Sequence, residues 1–336
     1  MPLAIHILDN GLVYNPFDEE SDWLLAKSAL NAAVLNTQEM DHFVYSHLIL
    51  EPIRVAFLQS ISESHPIYHL MEHHMRGMFS NTLGGLVLLL GNKTPFDLVF
   101  GWGAPGALRF LEKELPNAPM VTLGERLTQQ GLWDIPNFKF RDDCLVMWDA
   151  FDTFFTDYLG LYYIEPTDIL FDHEVQNWAA EACIYQFDFP CAFETADQLK
   201  EIMVNMVFRA TIKHHSWNSD VTWHISAYPF SLPSLNHPLP TSKGTNIDFM
   251  DYVIPNKLRS FGVGLFAEFY RPMNDPYMTL LDSYKNVNLG QLSGPIVEKH
   301  LLNMQQIDAN IDDRERGNKK PYLFLKPSRL PHYVWI

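Results

Sequence analysis

The stretch from Asp22 to about Gln59, "DWLLAKSALNAAVLNTQEMDHFVYSHLILEPIRVAFLQ", is built of helix-forming residues and contains a single strong breaker, Pro52. A run of that length reads as a helix of roughly ten turns, ended or kinked at Pro52, and the rest of the chain must pack around it. Its one irregularity is a pair of histidines, His42 and His47, five residues apart. Each residue turns an α-helix by about 100°, so a spacing of five misses a shared face by about 140°. Either these are unrelated core histidines, or the helix is locally widened so that five residues return to one face.

Further helical segments follow. "PIYHLMEHHMRGMFS" opens with Pro66 at a favoured first-turn position. "RDDCLVMWDAFDTFFTDYLGLYY" is apolar and aromatic nearly all round, as a buried helix would be. "ADQLKEIMVNMVFRATIKHHSWNSD" is another, with Asp197 and Gln198 near its start. The proline-rich "YPFSLPSLNHPLPTSKG" reads as an ordered surface loop, and the apolar tail "NKKPYLFLKPSRLPHYVWI" as buried, since an exposed apolar terminus would fray or be trimmed. The expected fold class is mostly α. With no internal repeat, low-complexity tract or long linker, residues 1–336 read as one domain.

Composition narrows the function. A chain of 336 residues with 47% hydrophobic and 13% aromatic residues can bury a sizeable core. Its net charge of -16 argues against a nucleic-acid surface and against bulk attraction to anionic membranes, which leaves small or apolar ligands. Cys144, Cys183 and Cys191 are odd in number and lack metal-ligand spacing, so they read as reduced, buried thiols. No signal-peptide pattern and no membrane-spanning run stands out, which makes the cytoplasm the default expectation.

With 14 histidines, chance gives about half a pair at any chosen spacing, so each motif needs weighing. His69, Glu72 and His73 match the H-x-x-E-H pattern of inverted zinc peptidases, but no third ligand stands out downstream. Gly101, Gly103 and Gly106 match G-x-G-x-x-G, with Glu125 about twenty residues on. The preceding "NKTPFDLVF" lacks the β-branched continuity of a buried parallel strand, which favours a plain glycine-rich turn. His214 and Asn218 stand four apart, so an imidazole and a carboxamide share one helix face. A buried chain end at Ile336 would bring a carboxylate that needs a cation. Three histidines, an amide and a terminal carboxylate make a five-ligand N/O set with one position open, which suits a non-haem iron oxygenation site.

"WLLAK" (residues 23–27), "HFVYSHLILEP" (from His42), "HPIYHLMEHH" (65–74), "FRDDCLVMWDA", "DFPCAFETADQL", "HPLPTSKG" and the ending "KKPYLFLKPSRLPHYVWI" fall in the order and spacing of one family. The chain resembles the C-terminal half of the lipoxygenase catalytic domain over nearly its whole length. The resemblance implies a helical catalytic core around a long central helix with a π-type widening. At about 4.4 residues per turn, a spacing of five comes within about 50° of one face. It further implies His42, His47 and His214 as iron ligands, Asn218 as a weak amide ligand and Ile336 as a ligand through its main-chain carboxylate. Gln38 and His74 would support those ligands from behind. The implied reaction takes a hydrogen from a doubly allylic methylene of a polyunsaturated fatty acid and adds O2, giving a hydroperoxide. Iron would be the cofactor, and manganese fits the same ligand types.

Several positions depart from the family pattern. Val221 stands where a glutamine would tie the amide ligand to Gln38. Val99 and Gly101 compete for the small-residue position that steers O2, and Phe266 replaces a leucine that clamps the diene. The family's N-terminal β-barrel and upstream helices are missing, so self-association over the uncovered face, or a shorter and more open channel, is expected. Two alternatives to fatty-acid dioxygenation remain: the same iron site acting on another small molecule or as a hydroperoxide isomerase, and a catalytically silent scaffold.

Overall fold

The computed structural model describes residues 2–78, 84–218, 232–269 and 278–334, with the side chains of 218 and 265–269 left aside. The expectation of a mostly α protein holds. The elements used below are β1 (Ile5–Ile7), β2 (Leu12–Tyr14), α1 (Glu20–His42), α2 (Leu50–Ser60), α3 (Pro66–Met75), α4 (Gly103–Glu114), α5 (Lys139–Leu159), α6 (His173–Tyr185), α7 (Ala196–Phe208), α8 (His214–Asn218), α9 (Lys257–Phe269) and α10 (Gly294–Glu315).

The chain divides into two compact units. The first comprises Met1–Phe43, Thr82–Glu114 and Trp217–Pro272. Here β1 and β2 form an antiparallel hairpin pairing Ile5 with Tyr14, His6 with Val13 and Ile7 with Leu12. The turn carries Asn10-Gly11, with Gly11 at φ +69°, a conformation that glycine adopts without steric cost. Ile5 and Tyr14 pack on Trp23 and Ala26 of α1. The proline-rich loop is ordered where described: Asn36 donates to the Pro233 carbonyl at 2.7 Å, and its own side-chain oxygen accepts from Trp102 N at 2.9 Å. Residues 228–231 of that loop lie outside the described residues.

The second unit comprises Val44–Asn81, Leu115–Ser216 and Met273–Ile336. α2 packs on α6, where Phe57 meets Trp178 edge to face at 5.2 Å and the indole N–H donates to the Ile53 carbonyl at 3.2 Å. α5 packs on both α7 and α10. Phe151, Phe154, Phe155 and Tyr158 recur along α5 at helical spacing and are fully or almost fully buried. Phe154 stacks on Tyr284 at 4.7 Å and faces the His300 ring of α10 at 4.5 Å. The tail is buried only in part: Leu325, Leu330, His332, Tyr333 and Val334 lie inside, while residues 318–321 and Phe324 are exposed.

Among the described residues, three short segments are wound as π-helix: Phe43–Leu48, Gly85–Leu89 and Arg209–Lys213. The first carries the widening expected between His42 and His47. Its signature is the Ile49 N–H bonding back five residues to the Val44 carbonyl at 3.2 Å. The third ends immediately before His214 and had no sequence signal. Pro52 does not end the helix, because it falls in the first turn of α2, where a missing N–H is tolerated.

One expectation is corrected. Cys183 and Cys191 are joined in a disulfide, and only Cys144 is a free, buried thiol. α6 ends at Tyr185 and the chain doubles back, bringing the two Cα atoms to 5.1 Å, within disulfide range. The cytoplasmic expectation loses the support it drew from reduced thiols.

Acid should loosen this core. Burial pushes His300 down to about 4 and His74 well below the ordinary imidazole range, with the neighbouring His332 adding to the latter. Unfolded, both take up a proton near pH 6.5. Stability is therefore full above that pH and falls on acidification, by about 1.4 kcal/mol per pH unit for each excess proton on the unfolded chain. Urea midpoints should hold between pH 7.5 and about 6.5 and fall from there to pH 5; midpoints flat down to pH 5 would contradict the neutral burial of these rings.

Candidate metal centre

His42 closes α1, His47 sits in the π segment that continues it, and His214 opens α8 directly after another π segment. All three are buried, and one ring nitrogen from each lies within 4.8 Å of the others. Among the described residues this is the one group of three or more histidine, cysteine or acidic side chains placed to hold an ion. His47 Nε2 and His214 Nε2 lie 3.0 Å apart, with ring planes inclined at 70°. Two nitrogens each about 2.1 Å from one ion, at right angles, would be separated by about 3.0 Å. The donor set therefore fits a first-row divalent metal, for which neutral imidazole is a suitable ligand.

Around these histidines stand residues that the sequence did not single out. Glu39, buried one turn before His42, holds a carboxylate oxygen 3.7 Å from His42 Nδ1. His215 places Nδ1 3.4 Å from His214 Nδ1 and donates from Nε2 to the Tyr333 carbonyl at 2.7 Å. The only available sequence signal was the doubled histidine in "KHHSWN", which does not say which ring takes the metal.

The "HLMEHH" motif has a different job. Glu72 forms a paired salt bridge with Arg54, its closer contact at 2.7 Å, and His73 Nε2 accepts from the Tyr284 N–H at 3.3 Å. His73 stacks on His332 at 3.9 Å, Arg76 lies over the Tyr333 ring at 4.4 Å, and His74 binds the His332 carbonyl through Nδ1. This helix end clasps the C-terminal tail. Val334 N–H donates to the His74 carbonyl at 3.3 Å, and a Cβ on Gly77 would lie 1.7 Å from the Val334 carbonyl oxygen. Glycine is required there for close approach of two backbones.

The second decoy dissolves too. Gly103 begins α4 at φ +58° after a short helix, Pro95–Val99, instead of a strand, and Glu125 is engaged in a capping box with Thr122.

Of the remaining expected site residues, Gln38 is half-buried on α1, one turn before His42. Val99 is buried, its carbonyl accepting from Ser234 at 2.8 Å, while Gly101 N–H donates to the Pro233 carbonyl at 3.0 Å. Asn218 and Phe266 fall on α8 and α9, but their side chains lie outside the description, as do residues Val221 and Ile336 altogether.

A helical chain that converges three buried imidazoles on one point falls in the class of mostly α proteins with a histidine centre of metal-ligand type. The sequence profile of the lipoxygenases matches residues 11–93 and 121–252, nearly two-thirds of the chain. The chain belongs to the lipoxygenase family. It is 27% identical to the human polyunsaturated fatty acid lipoxygenase ALOX15B, over all of this chain and 52% of that protein. It is 26% identical to the human hydroperoxide isomerase ALOXE3, over all of this chain and 49% of that protein. A manganese lipoxygenase of Colletotrichum gloeosporioides (strain Cg-14) is 27% identical over all of this chain and 60% of its own length. The solved structure of a coral 8R-lipoxygenase shares the fold, with a TM-score of 0.91 at 24% identity, covering all of this chain and 53% of the coral one. The chain thus spans about half the length of most of these relatives.

Replacing Gly77 by alanine should force the tail off α3. We expect a loss of about 1–3 kcal/mol, as for other overpacked sites, and faster hydrogen exchange at residues 330–334. Wild-type exchange in that segment would contradict the close approach.

Proposed function

We propose that the histidine centre holds a single non-haem iron and that the protein is a dioxygenase of polyunsaturated fatty acids, yielding a conjugated hydroperoxide. The observation that carries this reading is the convergence of the three buried imidazoles, with the Nε2 atoms of His47 and His214 3.0 Å apart. When bound, such an ion supplies the one-electron chemistry for removing hydrogen from a doubly allylic methylene and for adding O2 to the carbon radical left behind.

The chain's own residues do the rest. His42, His47 and His214 hold the ion, with Asn218 and the Ile336 carboxylate completing the set on the strength of the family resemblance. Glu39 faces His42 Nδ1 and favours a proton there, which places the ring's lone pair on Nε2. Val99, Gly101 and Phe266 are proposed to shape the path of substrate and O2. Manganese would accept the same donors, and metal analysis distinguishes the two.

A second reading, isomerisation of fatty-acid hydroperoxides at the same centre, draws on the relative that bears that name. The test is direct. Protein reconstituted with Fe2+ should carry one equivalent of iron and generate conjugated-diene absorbance from linoleate or arachidonate, and His214→Ala should lose both. Consumption of a hydroperoxide with no diene formation would favour the isomerase. Stoichiometric iron in His214→Ala would overturn the ligand assignment.

A further inference from the structure

His215 is not among the proposed ligands, yet it is 2% exposed, and its two ring nitrogens contact two different parts of the structure. Nε2 lies 2.7 Å from the Tyr333 carbonyl oxygen, and Nδ1 lies 3.4 Å from Nδ1 of His214, with the two rings nearly perpendicular. A carbonyl has no proton to give, so the proton in the first contact belongs to His215 Nε2. In a neutral imidazole the other nitrogen then carries the lone pair, so His215 Nδ1 is an acceptor. The nitrogen facing it, His214 Nδ1, must be the donor, because the alternative opposes two lone pairs in a buried site. That leaves the lone pair of His214 on Nε2, pointing at the spot it shares with His47 Nε2.

We propose that His215 is a positioning residue that reads the main chain at Tyr333 and fixes His214 in the Nδ1–H tautomer, with its Nε2 lone pair directed into the metal centre. This rests on the metal-centre reading above and adds a link that the reading does not contain. The tail held by His74, Gly77 and Arg76 passes its position to a ligand through one imidazole. A tail that left its seat would take the Tyr333 carbonyl away, and His214 would then be free to carry its proton on Nε2, where no metal can bind. Partners that fix the tautomer of a ligating histidine are worth about 10- to 100-fold in metal affinity.

Two measurements on the full chain test this. Long-range 1H–15N NMR of metal-free protein, labelled at its histidine rings, reports the tautomer of His214 directly. The expected result is a protonated Nδ1 and an unprotonated Nε2, and a protonated Nε2 would overturn the proposal. Competition with a chelator for Fe2+ or Mn2+ gives the metal affinity of variants. His215→Leu keeps bulk but removes both contacts, and should bind about 10- to 100-fold more weakly. His215→Gln can still donate to Tyr333 through its amide nitrogen and accept from His214 through its amide oxygen, and should stay within about threefold of wild type. Wild-type affinity in His215→Leu, or equal weakness in His215→Gln and His215→Leu, would overturn it. If the wild-type protein binds neither metal, the metal-centre reading fails, and the tautomer measurement still decides whether the relay exists.

Discussion

The centre depends on one displaced hydrogen bond. Where an α-helix would close a ring over four residues, the Ile49 N–H reaches back five to the Val44 carbonyl. That slip inserts one residue into the turn carrying His47 and brings it to the face of the helix that His42 already occupies. A π turn is less favourable than an α turn, so something must hold it, and the buried residues of this run supply the packing. Val44, Leu48, Ile49 and Leu50 are all buried, which leaves the helix little freedom to rewind. A second slip at Arg209–Lys213 aims His214 in the same way.

The other half of the arrangement is the tail. An extended segment has no intrinsic register, so its position must come from side chains and close approaches. Here α3 provides them: a stacked imidazole, a guanidinium over a tyrosine ring, a histidine on a carbonyl and a glycine where any Cβ would collide. The residues that resemble a zinc-peptidase motif are thus used as a clasp. The distinction is chemical: Glu72 is already paired with Arg54, and His73 Nε2 already accepts from a backbone N–H. Neither is left to bind an ion.

Much of this was legible in the sequence because the constraints are local or periodic. Helix-forming runs, the aromatic face of α5 and the apolar tail each carry their own signal. The five-residue spacing became informative only through the family resemblance, since spacing alone fits two unrelated core histidines equally well. What could not be read depends on contacts between distant segments. His215 acquires its role from Tyr333, more than a hundred residues away, and Glu39 from the way α1 is buried. The Cys183–Cys191 bridge followed from the chain doubling back after α6, which no cysteine spacing reveals. The N-terminal hairpin, by contrast, has a local signal in Asn10-Gly11, a turn pair between two short strands.

The role of this centre turns on whether one ion occupies the point where the three imidazoles converge. Crystals grown anaerobically with Fe2+, with anomalous scattering recorded on either side of the iron edge, would locate it. We predict a single iron peak within about 2.3 Å of the Nε2 atoms of His42, His47 and His214. Iron bound elsewhere, or no peak between these rings in iron-saturated protein, would contradict it.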